Sequence, residues 1–245
     1  IMANIHFFLQ GKGGVGKSFC ATMLTQYIIA SGRPNPICID TDPVNATFAA
    51  YKAFDVMRVE IMNGDKIDPL KFDLIMEKIF SAKEDDTVII DNGASSFLTF
   101  SSYLLSSDVP NLLDSMGHSV FINTIVTGGD AMGDTIHGFG ALASQFPSTA
   151  KILVWLNPYF GIIGQGNLRF QDSSIYKANA NKVLALIELP DLARDTFGMN
   201  LSRMLKERLT FPEAILEQNS GYSIMDKQRL KIAQQKIFAT IPPEI

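Results

Sequence analysis

The chain has only two cysteines, three histidines and one tryptophan among 245 residues. Cys20 falls in a helical stretch and Cys38 in an apolar one. That placement gives no metal-binding spacing, so both read as core thiols kept reduced. His6, His118 and His137 are scattered and read as structural residues. No apolar run approaches the ~18 residues that span a bilayer. The opening, Ile1-Met2-Ala3-Asn4, lacks the basic region and small-residue cleavage site of a secretory signal. Internal repeats and low-complexity stretches are also missing. These absences point to a cytoplasmic chain and argue against secreted, membrane-spanning and disulfide-stapled classes.

What is present is apolar material. About half the residues, 47%, are hydrophobic, which supports a large core. The length suits one α/β domain over residues 1–245. The net charge is −4, which does not suggest a protein permanently coated by nucleic acid. Yet residues 200–240 carry seven Lys/Arg against four acids. Such a basic segment reads first as a solvated helix face, with DNA, lipid or an acidic protein as the alternative.

Short apolar runs alternate with helical patterns. Strands are expected at 4–10, 36–40, 56–61, 87–91, 120–126, 151–156 and 183–189. Helices are expected at 17–30, 45–52, 69–80, 130–146, 200–209 and 223–238. Residues 159–181 read as a long loop or an inserted hairpin. Continuous apolar strands alternating with helices predict a doubly wound, mostly parallel sheet covered on both faces. Ligands bind such sheets beyond the carboxyl ends of the strands.

The unusual residues sit at those ends. Gly11, Gly16, Lys17 and Ser18 satisfy Gly-x-x-x-x-Gly-Lys-Ser between an apolar strand and a helix. Glycines let the loop amides face a triphosphate closely, and the helix adds its positive end. Lys17 supplies charge to the β- and γ-phosphates, and the Ser18 hydroxyl suits Mg²⁺. Asp91 ends the fully apolar run Thr87-Val88-Ile89-Ile90, where a carboxylate is costly unless a metal's water shell relieves it. Asn157 follows another strand, and its amide can both donate and accept, which suits an adenine edge.

Lys12-Gly13-Gly14-Val15-Gly16-Lys17-Ser18, with its second lysine, resembles the deviant Walker A motif of the ParA/MinD family of P-loop ATPases, of SIMIBI-like fold. That resemblance implies ATP and Mg²⁺ as ligands, with the site running from Gly11 through Phe19. It implies that Lys12 reaches across an ATP-dependent homodimer to the partner's phosphates. Asp40-Thr41-Asp42-Pro43 is similar to the family's first switch. By that likeness Asp40 helps hold the metal's water shell and Asp42 orients the attacking water. Gly93 resembles the second-switch residue that senses the γ-phosphate, although the family commonly has proline where this chain has Asn92. Asn157, and less directly Pro190 after the last strand, resemble the family's adenine-binding positions.

Leu9–Ser18, Cys38–Phe48, Asp91–Phe97, Val126–Gly129, Val154–Tyr159 and Glu207–Phe211 together resemble one branch of that family, found on broad-host-range conjugative plasmids. The branch implies a protein partner in DNA transfer or partitioning. Two other classes compete: a metabolic P-loop enzyme acting on a small molecule, and a nucleotide-binding adaptor that does not hydrolyse. An iron–sulfur electron donor is disfavoured, because no cysteine follows the second switch. In the 223–238 helix, Leu230, Ala233 and Ile237 recur at helical spacing among lysines, which suits packing on the sheet better than lying on a membrane surface.

Overall fold

The computed structural model describes residues 3–192, 196–218 and 220–245; Ile1 and Met2 lie outside them. Seven strands form one sheet: β1 (Asn4–Phe8), β2 (Ile37–Asp40), β3 (Met57–Arg58), β4 (Thr87–Asp91), β5 (Ser119–Thr127), β6 (Ala150–Asn157) and β7 (Val183–Glu188). Their order is β7-β6-β5-β1-β4-β2-β3, and every pairing is parallel. β4 is buried at every position, as a strand covered on both faces must be. The doubly wound parallel sheet expected from the sequence is therefore present.

One face carries α2 (Asp73–Phe80), α3 (Phe97–Ser106), α4 (Val109–Ser115), α5 (Met132–Gln145) and the short α6 (Ser174–Asn179). Their core includes Phe72, Ile75, Phe100, Leu104, Phe139 and Leu142 against Ile5, Phe7, Val88 and Ile122. The other face carries α1 (Lys17–Ala30), α7 (Phe197–Lys206), α8 (Phe211–Leu216) and α9 (Ile224–Phe238). There Cys20, Leu24, Leu201, Met204, Phe211 and Leu230 pack on Phe8, Ile89, Leu153 and Trp155. Leu230, Ala233 and Ile237 are buried, so the apolar stripe of α9 faces the core.

Two expectations change. Residues 45–52 are turns followed by a 3₁₀ segment at Lys52–Phe54, not a helix. The acceptors that would have capped such a helix fold the turn instead, as described below. The strand expected at 56–61 pairs only at Met57 and Arg58; the chain then leaves for a small antiparallel hairpin, Met62–Asn63 with Lys66–Ile67. Within 159–181 the hairpin reading holds, with Gly164–Gln165 pairing Leu168–Arg169 before α6. The helices α3, α4 and α8 lie where the sequence pattern gives no helix.

The strand order reverses around β1, which has β4 on one side and β5 on the other. The carboxyl ends of these strands, with that of β2, open at one end of the sheet. This is the topological switch point where a doubly wound sheet leaves a crevice.

Candidate phosphate-binding site

The loop after β1 turns sharply into α1. Gly14 has φ 75° and Gly16 has φ 104°, a region that favours glycine over residues with a Cβ. Gly16 is the N-cap of α1, with no side-chain cap and no acidic residue in the first turn. The first amides of the helix, which no carbonyl within the helix can satisfy, are thus left pointing out of the fold with their positive dipole end uncompensated. Lys17 is buried in that turn. A cavity of about 550 Å³ opens over it, lined by the loop, by Asp42 and Asn45, and by Ala94 and Ser95.

The segments after β2 and β4 meet below this cavity. Asp40, fully buried, accepts the Asp42 N–H on Oδ1 and the Ala49 N–H on Oδ2, both at 2.9 Å. Burial pushes its pKa up, and those backbone donors pull it back. Asp42 Oδ1 accepts from Val44 and Asn45 N–H at 2.9 and 3.0 Å. The two aspartates therefore shape residues 42–49 into a tight turn. Gly93 packs against Asp42: a Cβ there would lie 2.8 Å from Asp42 Cγ. Asn92 accepts from the Thr41 hydroxyl at 3.0 Å and the Ser96 hydroxyl at 2.8 Å. Asn92 thereby ties the segment after β2 to the segment after β4. Thr41 and Ser96 were missed as site residues, since nothing in the one-dimensional pattern pairs them.

Asp91 lies behind Ser18. Its carboxylate is buried, and its pKa is pushed up to about 7, chiefly by burial. The Lys17 charge and the Ser18 hydroxyl oppose that shift, while Asp40 and Asp42 add to it. Oδ1 of Asp91 has no hydrogen-bond partner among the described residues. A buried, unpaired carboxylate oxygen beside a hydroxyl is costly unless a cation completes it. The donor set therefore fits a hard divalent ion such as Mg²⁺. Among the described residues no three His, Cys, Asp or Glu form a cage; Mg²⁺ does not require one, because it takes one or two carboxylates plus water and phosphate.

A second cavity of about 640 Å³ adjoins the first, sharing Gly14, Gly16 and Phe19. Tyr159, Phe160, Leu189, Pro190 and Met199 give it mostly apolar walls. Asn157 stands between the cavity and the loop. Its Nδ2 donates to Val15 O at 2.9 Å, and its Oδ1 accepts the Tyr159 N–H at 3.2 Å. Its amide is thus committed to bracing the phosphate loop, and a Cβ on Gly16 would sit 2.7 Å from Nδ2. Val15 is buried beneath the loop. Gly11 packs on the Phe97 ring and lines neither cavity.

Lys12 does not join this group. Its Nζ lies 2.8 Å from Asp134 Oδ2, in the first turn of α5, with both side chains largely exposed. The paired carboxylate holds the ammonium's pKa up, and the ammonium holds the carboxylate's down.

No protein-family model matches the chain. A plasmid partition protein from Borrelia burgdorferi has a similar fold, with a TM-score of 0.50 at 14% identity over 97% of this chain and all of that one. Two Escherichia coli proteins named TraL are closer in sequence. One is 50% identical over 240 residues, 98% of both chains. The other is 50% identical over 237 residues, 97% of this chain and 96% of its own. With half its residues shared along essentially the full length, this chain belongs to the TraL family.

Proposed function

We propose that this protein is a Mg²⁺-dependent ATPase that works as a dimerisation switch in the cytoplasm, serving plasmid conjugal transfer. One observation carries the reading. A glycine-shaped turn presents uncapped helix amides and a buried lysine directly beside a buried carboxylate oxygen that has no hydrogen-bond partner among the described residues. That combination lacks only a polyanion and a divalent cation. The amides from Gly13 to Ser18 and the Lys17 ammonium hold the phosphates. Ser18 and Asp91 hold the ion, with Asp40 fixing the turn beside them. Bound there, Mg²⁺ neutralises charge on the phosphate oxygens. Asp42 faces the phosphate cavity and orients the attacking water, a task set by geometry more than basicity. The apolar cavity takes the base against Phe160 and Pro190, and Asn157 locks the loop between base and phosphates.

Sheet and helices act as one domain. Lys12 serves the partner's phosphates once a second copy faces this one. The conjugative role follows from the TraL likeness, and the cargo is a protein of the transfer or partitioning apparatus, with DNA as the other candidate. Among the described residues no helix is long and apolar enough to cross a membrane. The test is molecular mass by light scattering without nucleotide, with ADP, and with a non-hydrolysable ATP analogue plus Mg²⁺. Association occurs only with the analogue and is lost in Lys12→Ala. No affinity for adenine nucleotide with Mg²⁺ present, or association that ignores nucleotide, refutes the proposal.

A further inference from the structure

Gln10 is buried one residue before the phosphate loop, and the nucleotide-site reading gives it no task. Its surroundings assign one. β1 pairs with β5 only as far as Phe8 and Asn123. Leu9 N–H still reaches Asn123 O at 2.9 Å. In a parallel ladder the next carbonyl on β5, Ile125 O, would take an amide two residues further along the neighbouring strand. That residue is Gly11, which has already turned away into the loop. The Gln10 side chain fills the gap: its Nε2 donates to Ile125 O at 2.8 Å. The same nitrogen lies 3.4 Å from Thr124 Oγ1 and 3.5 Å from Thr135 O of α5. The other end of the amide faces the loop, where Oε1 accepts the Lys12 N–H at 3.3 Å.

Gln10 therefore links the end of the sheet to the backbone of Lys12. Space for it comes from α5: a Cβ on Gly138 would lie 2.6 Å from Gln10 Oε1. The helix that makes this room also carries Asp134, the carboxylate that holds the Lys12 ammonium. Lys12 is thus gripped at two points from one side, by its N–H through Gln10 and by its Nζ at Asp134. With the N–H turned inward, the side chain leaves the loop toward α5.

We propose that Gln10 is a positioning residue that aims Lys12, with Gly138 as the space it requires. The functional importance of that aim rests on the nucleotide switch proposed above, but the aim itself is testable without nucleotide. The experiment measures the acylation rate of the Lys12 amine by acetic anhydride and mass spectrometry in the full chain, with exposed Lys231 as internal reference. Asp134→Asn frees Lys12 and raises its relative rate about 2- to 5-fold, the range expected for an exposed ion pair. Gln10→Met and Gly138→Ala raise it by a similar factor. Gly138→Ala guards against misfolding, because alanine favours a helix and its new methyl group strikes the Gln10 amide. Lys12 rates unchanged in both Gln10→Met and Gly138→Ala, while Asp134→Asn raises them, overturn the proposal; so does an unchanged rate in Asp134→Asn.

A second arm uses Mg-ATP. Gln10→Met weakens binding on the order of tenfold where Lys12 is present and leaves Lys12→Ala unchanged. Equal weakening in both backgrounds means that Gln10 merely supports the loop, which also overturns the proposal. Failure of the parent protein to bind Mg-ATP sinks the nucleotide reading instead, and the acylation arm then decides Gln10 alone.

Discussion

His6 sits in the central strand with no exposed surface, stacked on Phe121 with ring centroids 4.6 Å apart. Trp155 Nε1, which can only donate, gives its hydrogen to Asn123 Oδ1 at 3.0 Å. Asn123 therefore turns its Nδ2 toward His6 Nδ1, 3.3 Å away. Nδ1 accepts, so the ring proton lies on Nε2, which is buried and has no hydrogen-bond partner among the described residues. Burial, with the Arg33 charge adding to it, lowers the pKa from 6.5 to about 3. Between those values the unfolded chain binds a proton that the folded chain refuses, so stability falls as pH drops below about 6.5. At pH 5 the folded ring is still neutral, and the cost depends only on the unfolded value. About 1.5 pH units at 1.36 kcal/mol each gives ~2 kcal/mol, or roughly 4–8 °C in Tm for a chain of this size. His118 is also lowered by burial and acts in the same direction, so a difference between proteins is needed. His6→Phe keeps the stack on Phe121 and removes the titration. Urea unfolding at pH 7.5 and pH 5 should show the parent losing about 2 kcal/mol more than the variant. Equal losses in the two proteins would show that His6 is not held neutral, and the tautomer derived from Asn123 would be wrong.

Two further substitutions probe the site. Gly93→Ala places a Cβ 2.8 Å from Asp42 Cγ and 3.0 Å from Asp42 Cα. It should cost about 1–3 kcal/mol by overpacking and depress phosphate release far more than Mg-ATP binding, read by calorimetry beside a steady-state assay; unchanged turnover means the two switches need no contact. Asn157→Ala leaves Val15 O and the Tyr159 N–H without their partner. Stability should drop by ~1–3 kcal/mol, and ADP and ATP affinity should fall together, because both nucleotides depend on the braced loop. A loss confined to ATP would place Asn157 elsewhere in the mechanism.

Much of the architecture was legible because buried parallel strands leave little choice of residue. Thr87-Val88-Ile89-Ile90 can hardly be anything but a strand covered on both faces. The start of α9 has a chemical marker: Ser223 and Asp226 form a capping box. By contrast, α3 hides its period. Its buried positions are Phe100, Ser101 and Leu104, with the half-buried Phe97, so a serine interrupts the apolar stripe, and exposed Leu98 sits off it. The expected helix at 45–52 fails at Ala49, whose N–H would have bonded Asn45 O in a helix but donates to Asp40 Oδ2 instead, while Asp42 Oδ1 folds the turn before it by accepting from Val44 and Asn45.

The site divides along the same line. Which residues surround the phosphate cavity could be read from spacing, because a strand–loop–helix unit fixes its own backbone. Which partner each polar group takes could not, because that depends on strand register across the sheet. Thr127 pairs with Asn157 across β5 and β6, and the Thr127 hydroxyl donates to Asn157 O at 2.8 Å. That register carries the Asn157 amide to Val15 rather than into open space. One residue of slip would turn Asn157 to the other face of the sheet and leave the loop unbraced with the sequence unchanged. Lys12 is the same case at longer range: its partner Asp134 lies 122 positions away, and only the packing of α5 beside β5 brings the two together. The motif thus specifies the residues that can hold a triphosphate, while the register of β5 and β6 decides which of them are free to do so.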